Sequence, residues 1–140
     1  MEIAHPSTTV LFIDSHDDER QYWVHRLKIS SPDYVVLEAS NGKEGLAICR
    51  SQRVDCVILE LTLPDMSGFE VLLELVPHAR HPEIAVIFLT RLTVSSMKHL
   101  ALRNGAQAYL VKPDSSGNEL DITIHKVLAN VAPSRKELRS

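Results

Sequence analysis

The chain has 140 residues, a length that suits one compact domain with a real core and is short for two. Its 15 Lys and Arg face 18 Asp and Glu, and no single-sign block offers a nucleic-acid or membrane footprint. Two cysteines, Cys49 and Cys56, form neither a disulfide framework nor a metal-type spacing, and read as buried or half-buried thiols in a reducing cytoplasm.

The longest apolar runs are strand-sized, well below what spans a bilayer. The opening MEIAHPSTTV lacks the basic-then-apolar pattern of a signal peptide. A cytoplasmic protein that touches neither membrane nor nucleic acid is expected. In chain order, apolar and β-branched runs fall at 9–13, 34–37, 54–59, 84–89 and 108–111. They are nearly continuous rather than alternating, as strands covered on both faces should be. Segments with helical spacing lie between them, at 18–29, 42–50, 69–76, 94–104 and 118–131. Turn signals mark the changes: Ser30 to Asp33, Asn41-Gly42, Pro64-Asp65, His81-Pro82 and Asn104-Gly105. The last of these suits a helix end that needs a left-handed residue. Strand and helix therefore alternate five times, the pattern of parallel βαβ units in a three-layer α/β sandwich. One domain is expected over residues 1–132, with 133–140 a polar tail or the start of a linker.

In such sheets ligands bind outside the carboxyl ends of the strands. The residues that follow the apolar runs are Asp14 and Ser15, then Glu60, Thr90, and Lys112 before Pro113. Two carboxylates suit a hard divalent cation, and a hydroxyl with an ammonium suits the oxygens of a phosphoryl group.

Four stretches, VLFID (10–14), LELTLPDMSGFEVL (59–72), VIFLT (86–90) and GAQAYLVKP (105–113), resemble the receiver domains of two-component response regulators. The resemblance runs in order over about residues 9 to 130. It implies a flavodoxin-like (βα)5 fold with a five-stranded parallel sheet of order 2-1-3-4-5. It also implies a phosphoacceptor at position 60 and an acidic, Mg²⁺-holding pocket at Asp14 and Ser15, with the main-chain carbonyl of Thr62 as a further ligand. Thr90 and Lys112 would bind phosphoryl oxygens, and Tyr109 would be the aromatic that reports the switch. By the same resemblance, the Lys112-Pro113 peptide bond is expected to be cis.

Two positions depart from the family pattern. Glu60 stands where the acceptor aspartate belongs, and its extra methylene pushes the carboxylate about 1.5 Å deeper, one C–C bond. In-line transfer tolerates such displacement poorly, since a 1 Å error can cost roughly a hundredfold in rate. Ser15 stands where a second acid belongs and removes one negative charge. No cofactor is expected beyond weak Mg²⁺, with Asp14, Glu60 and Thr62 as its ligands if any. Glu60 is expected to pair with Lys112 and to accept from the Thr90 hydroxyl.

Asp17, Asp18 and Glu19 suit the first turn of a helix, with Ser15 and Asp18 as a capping box, better than they suit an added ligand. A turn role suffices for Asp65. His78 and His81 read as a surface loop, His16 lies beside the pocket, and His25, His99 and His125 read as partly exposed helix residues. Met97, Lys98, Leu100 and Ala101 lie near the face the family uses for dimers and output contacts.

The functional expectation is a phosphorylation-impaired receiver module, not an enzyme, that acts by protein–protein contact. Its partner would be a histidine kinase, an output domain, or a second copy through helix 4, strand 5 and helix 5. Two alternatives stand beside it: a response regulator that uses Glu60 as a slow acceptor, and a small flavodoxin-fold enzyme that uses Asp14, Glu60 and Lys112.

Overall fold

The computed structural model describes residues 7–77 and 82–131. The histidines at 78 and 81 and the tail 133–140 lie outside the described residues. Five strands, β1 (Thr9–Ile13), β2 (Val35–Ala39), β3 (Cys56–Leu59), β4 (Ala85–Thr90) and β5 (Ala108–Val111), alternate with five helices. The helices are α1 (Asp17–Ser30), α2 (Gly42–Ser51), α3 (Gly68–Leu75), α4 (Ser95–Arg103) and α5 (Gly117–Leu128). All strand pairs are parallel, in the order β2-β1-β3-β4-β5.

Side chains alternate across a strand, so each strand feeds two cores. Leu11, Ile13, Val57, Leu59, Val86 and Phe88 pack on one face with Leu46 of α2, Val71 and Leu72 of α3, and Ala101 of α4. Val10, Phe12, Ile58, Ile87 and Leu89 pack on the other with Trp23, Val24 and Leu27 of α1 and Leu120, Ile124 and Val127 of α5. Every residue of β3 and β4 is buried, which is why those two runs read as continuous rather than alternating.

Helix starts follow local chemistry. Asn41 caps α2 by accepting from the Glu44 N–H, and Ser67 with Glu70 forms a capping box on α3. The box expected at Ser15 does not form. His16 occupies the N-cap of α1 without a side-chain bond, and Asp17, Asp18 and Glu19 fill the first turn. Asp14 binds the His16 N–H in place of Ser15, so the helix begins one residue later. Gly105 takes φ 107°, the left-handed residue that follows α4.

The Lys112-Pro113 bond is trans, against expectation. A 3₁₀ turn, Lys112–Asp114, carries the chain away from β5 with Pro113 in its first turn, where a missing N–H costs nothing. Cys49 is half-buried and Cys56 buried. Burial pushes the Cys49 thiol up to about 11, despite Arg50, and pushes Cys56 up as well. Neither has the thiolate character of a reactive cysteine.

Candidate functional site

The sheet register assembles the site. Ile13 pairs with Leu59 and Thr90 with Val111, so Asp14 and Glu60 emerge side by side while Lys112 follows one step beyond Thr90. Backbone bonds fix the two acids: Asp14 N–H donates to the Ala39 carbonyl and Glu60 N–H to the Ile13 carbonyl, both at 3.0 Å. All four residues are buried, at 6% exposure for Asp14, 5% for Glu60, 1% for Thr90 and 6% for Lys112. Buried polar groups of this kind require partners.

Lys112 supplies them. Its ammonium donates to Asp14 Oδ2 at 2.7 Å and to Glu60 Oε1 at 3.1 Å. Burial by itself pulls this ammonium's pKa down, but the bond to Asp14 and the charges of Glu60 and Asp14 outweigh it and hold the group above its ordinary 10.5. The second Glu60 oxygen accepts from the N–H of Leu61 at 2.6 Å, not from Thr90. The Thr90 hydroxyl instead accepts from the Leu92 N–H at 3.3 Å. With its longer stem the Glu60 carboxylate folds back onto the next peptide and closes a local ring that an aspartate is one atom too short to form in the same way.

Charges gather at the mouth of the pocket. Glu19 Oε1 lies 3.6 Å from Lys112 and accepts from Arg91 Nε at 2.7 Å. His16 Nδ1 lies 3.1 Å from Asp14 Oδ1 and 3.8 Å from Glu19 Oε2. Arg20 clamps the Asp14 main-chain carbonyl at 2.6 Å and pairs with Asp17 and Glu38. Five carboxylates (Asp14, Asp17, Glu19, Glu38, Glu60) against three permanent cations (Arg20, Arg91, Lys112) leave two formal negative charges in and around the pocket. A cleft of about 220 Å³ opens beside this network between Tyr22, Trp23, Arg91 and Pro113.

Tyr109 is 8% exposed and turned inward. Its hydroxyl donates to the Leu92 carbonyl at 2.9 Å, and its ring lies 6.1 Å from Phe88. Burial first and the Glu60 charge second push its phenol up. Tyr109 and Thr90 thus both bond the main chain of Leu92, so one loop residue couples strand-end hydroxyl and aromatic. Ser15 is half-buried beside Asp14, and Thr62 is exposed in the β3–α3 turn, where it bridges to Ser67.

Sequence reasoning left three contacts unseen. Arg91 pairs with Glu19 over the pocket, a contact foreshadowed only by opposite charges one residue after β4 and in the first turn of α1. His16 turns its ring onto Asp14. Asp65 leaves its own turn to accept from the N–H groups of Gly42 and Lys43, both at 2.9 Å, and so caps α2 from the β3–α3 loop. Those bonds hold its carboxyl below the usual 3.8.

Residues 10–124 match the family model of the response regulator receiver domain. The chain belongs to that family. It is 30% identical over 120 residues to Protein PilH of Pseudomonas aeruginosa, covering 86% of this chain and 97% of that protein. To the probable transcriptional regulator ycf27 of Porphyridium aerugineum it is 34% identical over 122 residues, which is 87% of this chain and 48% of that protein. The chain thus spans about half the length of ycf27 and of several other curated relatives. Among solved structures, the receiver domain from Clostridium thermocellum superposes with a TM-score of 0.77 at 31% identity, covering 88% of this chain and 95% of the other. The CheY-like receiver domain from Methanospirillum hungatei gives 0.78 at 25%, covering 89% and 96%.

The protein is therefore a receiver domain of a two-component response regulator, with the flavodoxin-like order 2-1-3-4-5. No helix among the described residues is long and apolar enough to cross a membrane. Receiver domains hold Mg²⁺ at this acidic edge. The donors gathered here suit that ion poorly. Mg²⁺ asks for near-octahedral oxygen ligands, whereas both carboxylates already hold the Lys112 ammonium. Beside the two carboxylates, the His16 imidazole nitrogen is a further side-chain ligand atom within reach.

Proposed function

We propose that this receiver domain signals by protein–protein contact without accepting a phosphoryl group. The observation that carries this reading is the Lys112 ammonium bonded to both Asp14 and Glu60. In that arrangement Glu60 occupies the phosphoacceptor-equivalent position as an internal counter-charge. Thr90 and Lys112 stand where phosphoryl oxygens would be bound, and Asp14 with Ser15 forms a depleted acidic pocket. An attacking carboxylate oxygen must be free and placed in line, and both Glu60 oxygens are engaged.

The receiver unit covers residues 1–132, with a polar tail or linker after it. Its partners are a histidine kinase, an output protein or domain, or a second copy through α4, β5 and α5. The last is supported by exposed Leu92, Val94 and Leu100 beside the loop that Tyr109 contacts.

The test is intact mass after incubation with acetyl phosphate and Mg²⁺, beside a Ser15→Asp, Glu60→Asp double variant. We expect the variant to gain one phosphoryl group and the natural protein none. A gain at Glu60 in the natural protein would make it a working acceptor and end this reading.

A further inference from the structure

We infer that the pocket has exchanged a magnesium site for a mixed nitrogen–oxygen site, in which His16, Asp14 and Glu60 bind a borderline divalent cation such as Zn²⁺ in preference to Mg²⁺. This deepens the reading above and rests on the same pocket. One ligand atom from each of the three side chains lies within 4.8 Å of the other two. Asp14 divides its oxygens: Oδ2 faces Lys112 at 2.7 Å, while Oδ1 faces His16 Nδ1 at 3.1 Å. The side of Asp14 away from the ammonium is therefore the side that carries the imidazole.

That 3.1 Å separation is close to the edge of a tetrahedron built from bonds of about 2.0–2.1 Å, an edge of roughly 3.3–3.4 Å. A cation that binds both atoms takes the place of their direct contact, with little movement of either side chain. Glu60 completes the set from β3 by exchanging its bond to Lys112 or to the Leu61 N–H for the ion, an inward swing of at most about 1.4 Å bringing an oxygen from the outer limit of the cluster to the same edge length. Solvent or a partner's side chain takes the remaining position.

Ligand chemistry decides which ion enters. An imidazole nitrogen suits zinc, cobalt, nickel or copper, and carboxylate and water suit magnesium. The formal charge left in the pocket also disfavours a hard ion. Lys112, Arg91 and Arg20 offset three of the five carboxylates, so the long-range attraction on which Mg²⁺ depends is partly spent. A nitrogen donor contributes bonding that does not depend on that residual charge. His16 is exposed, with a side chain 57% accessible, so the ion reaches the site without opening the fold.

Isothermal titration of the whole chain with ZnCl₂ and separately with MgCl₂ tests this, on the natural protein, His16→Ala and His16→Asp. The chain holds seven histidines, and the difference between the natural protein and H16A removes the contribution of the other six. We expect one Zn²⁺ site, at least roughly tenfold tighter than any Mg²⁺ site. It should weaken in H16A by no less than the roughly 10–100-fold that losing an outer-shell partner costs. In H16D, an all-oxygen set, the preference should move toward Mg²⁺. Zn²⁺ binding unchanged in H16A, or no Zn²⁺ binding at all, overturns the inference and leaves the phosphorylation result untouched. Mg²⁺ bound as tightly as Zn²⁺ by the natural protein overturns the inference and also removes the metal-based argument against phosphotransfer.

Discussion

Lys112 Nζ lies 2.7 Å from Asp14 Oδ2, although the two stand 98 positions apart in the chain. The pair is the hinge of the site's electrostatics, because the same ammonium also reaches Glu60 at 3.1 Å. Two buried carboxylates at the ends of adjacent strands would repel each other without it. Their coexistence at one sheet edge follows from the register, and their stability follows from Lys112.

Replacing Lys112 with Met should therefore cost about 3–5 kcal/mol, the usual penalty for stranding a buried charge. Glu60→Gln should cost less, about 1–3 kcal/mol, since Lys112 keeps Asp14. The raised Lys112 pKa sets the pH dependence. Its contribution is fully present below 10.5 and is lost as pH rises through the higher folded value. Urea midpoints of the natural protein and K112M should thus lie far apart at pH 8 and draw together above 10.5. A constant gap across that range would show that the ammonium's charge is not what stabilises the pocket.

Asp65 acts at a distance from the pocket. Its two oxygens accept from Gly42 and Lys43, tying the β3–α3 loop to the start of α2. Those N–H groups have no helical partner, and the positive end of the helix favours the carboxylate. Its pKa is lowered, so its contribution is present above 3.8 and disappears as pH falls through the folded value. Asp65→Asn should melt at a lower temperature than the natural protein at pH 7, and the gap should close below pH 3.8. Equal melting temperatures at pH 7 would reduce this contact to a decoration of the turn.

The order of strands and helices, and the edge where Asp14, Glu60, Thr90 and Lys112 meet, were legible because apolar runs and turn residues report local backbone state. The strand-end placement of polar residues then follows from parallel topology. Side-chain torsions and long-range partners are not encoded so locally. That is why the N-cap moved from Ser15 to His16, why Glu60 turned to the Leu61 N–H instead of Thr90, and why the tie from Asp65 to α2 gave no signal. The trans bond at Pro113 belongs with these, since a 3₁₀ turn after β5 has no apolar pattern to announce it.

Tyr109 and Thr90 converge on Leu92 from two strands, one donating to its carbonyl and the other accepting from its N–H. Tyr109→Phe removes the first bond and keeps the ring. We expect a loss of about 0.5–1.5 kcal/mol in chemical denaturation, with faster amide exchange confined to the loop at 91–94. Uniform acceleration across the sheet would mean that the hydroxyl supports the whole fold and not this loop.

Gly68 opens α3 directly beneath Glu60. A Cβ built there would sit 2.6 Å from the Glu60 carbonyl oxygen and 2.9 Å from Leu61 Cα, and both of those atoms are main chain. Two effects oppose each other in Gly68→Ala. Helix propensity favours Ala by roughly 0.5–1 kcal/mol at an interior position, and less at the first one. Overpacking against backbone costs about 1–3 kcal/mol. The clash wins, so G68A should lower the denaturation midpoint. Because the atoms that must move belong to Glu60 and Leu61, the variant should also loosen the Glu60–Lys112 bond, and adding E60Q should then cost less in G68A than in the natural protein. Full additivity of the two substitutions would show that the loop absorbs the methyl group without disturbing Glu60.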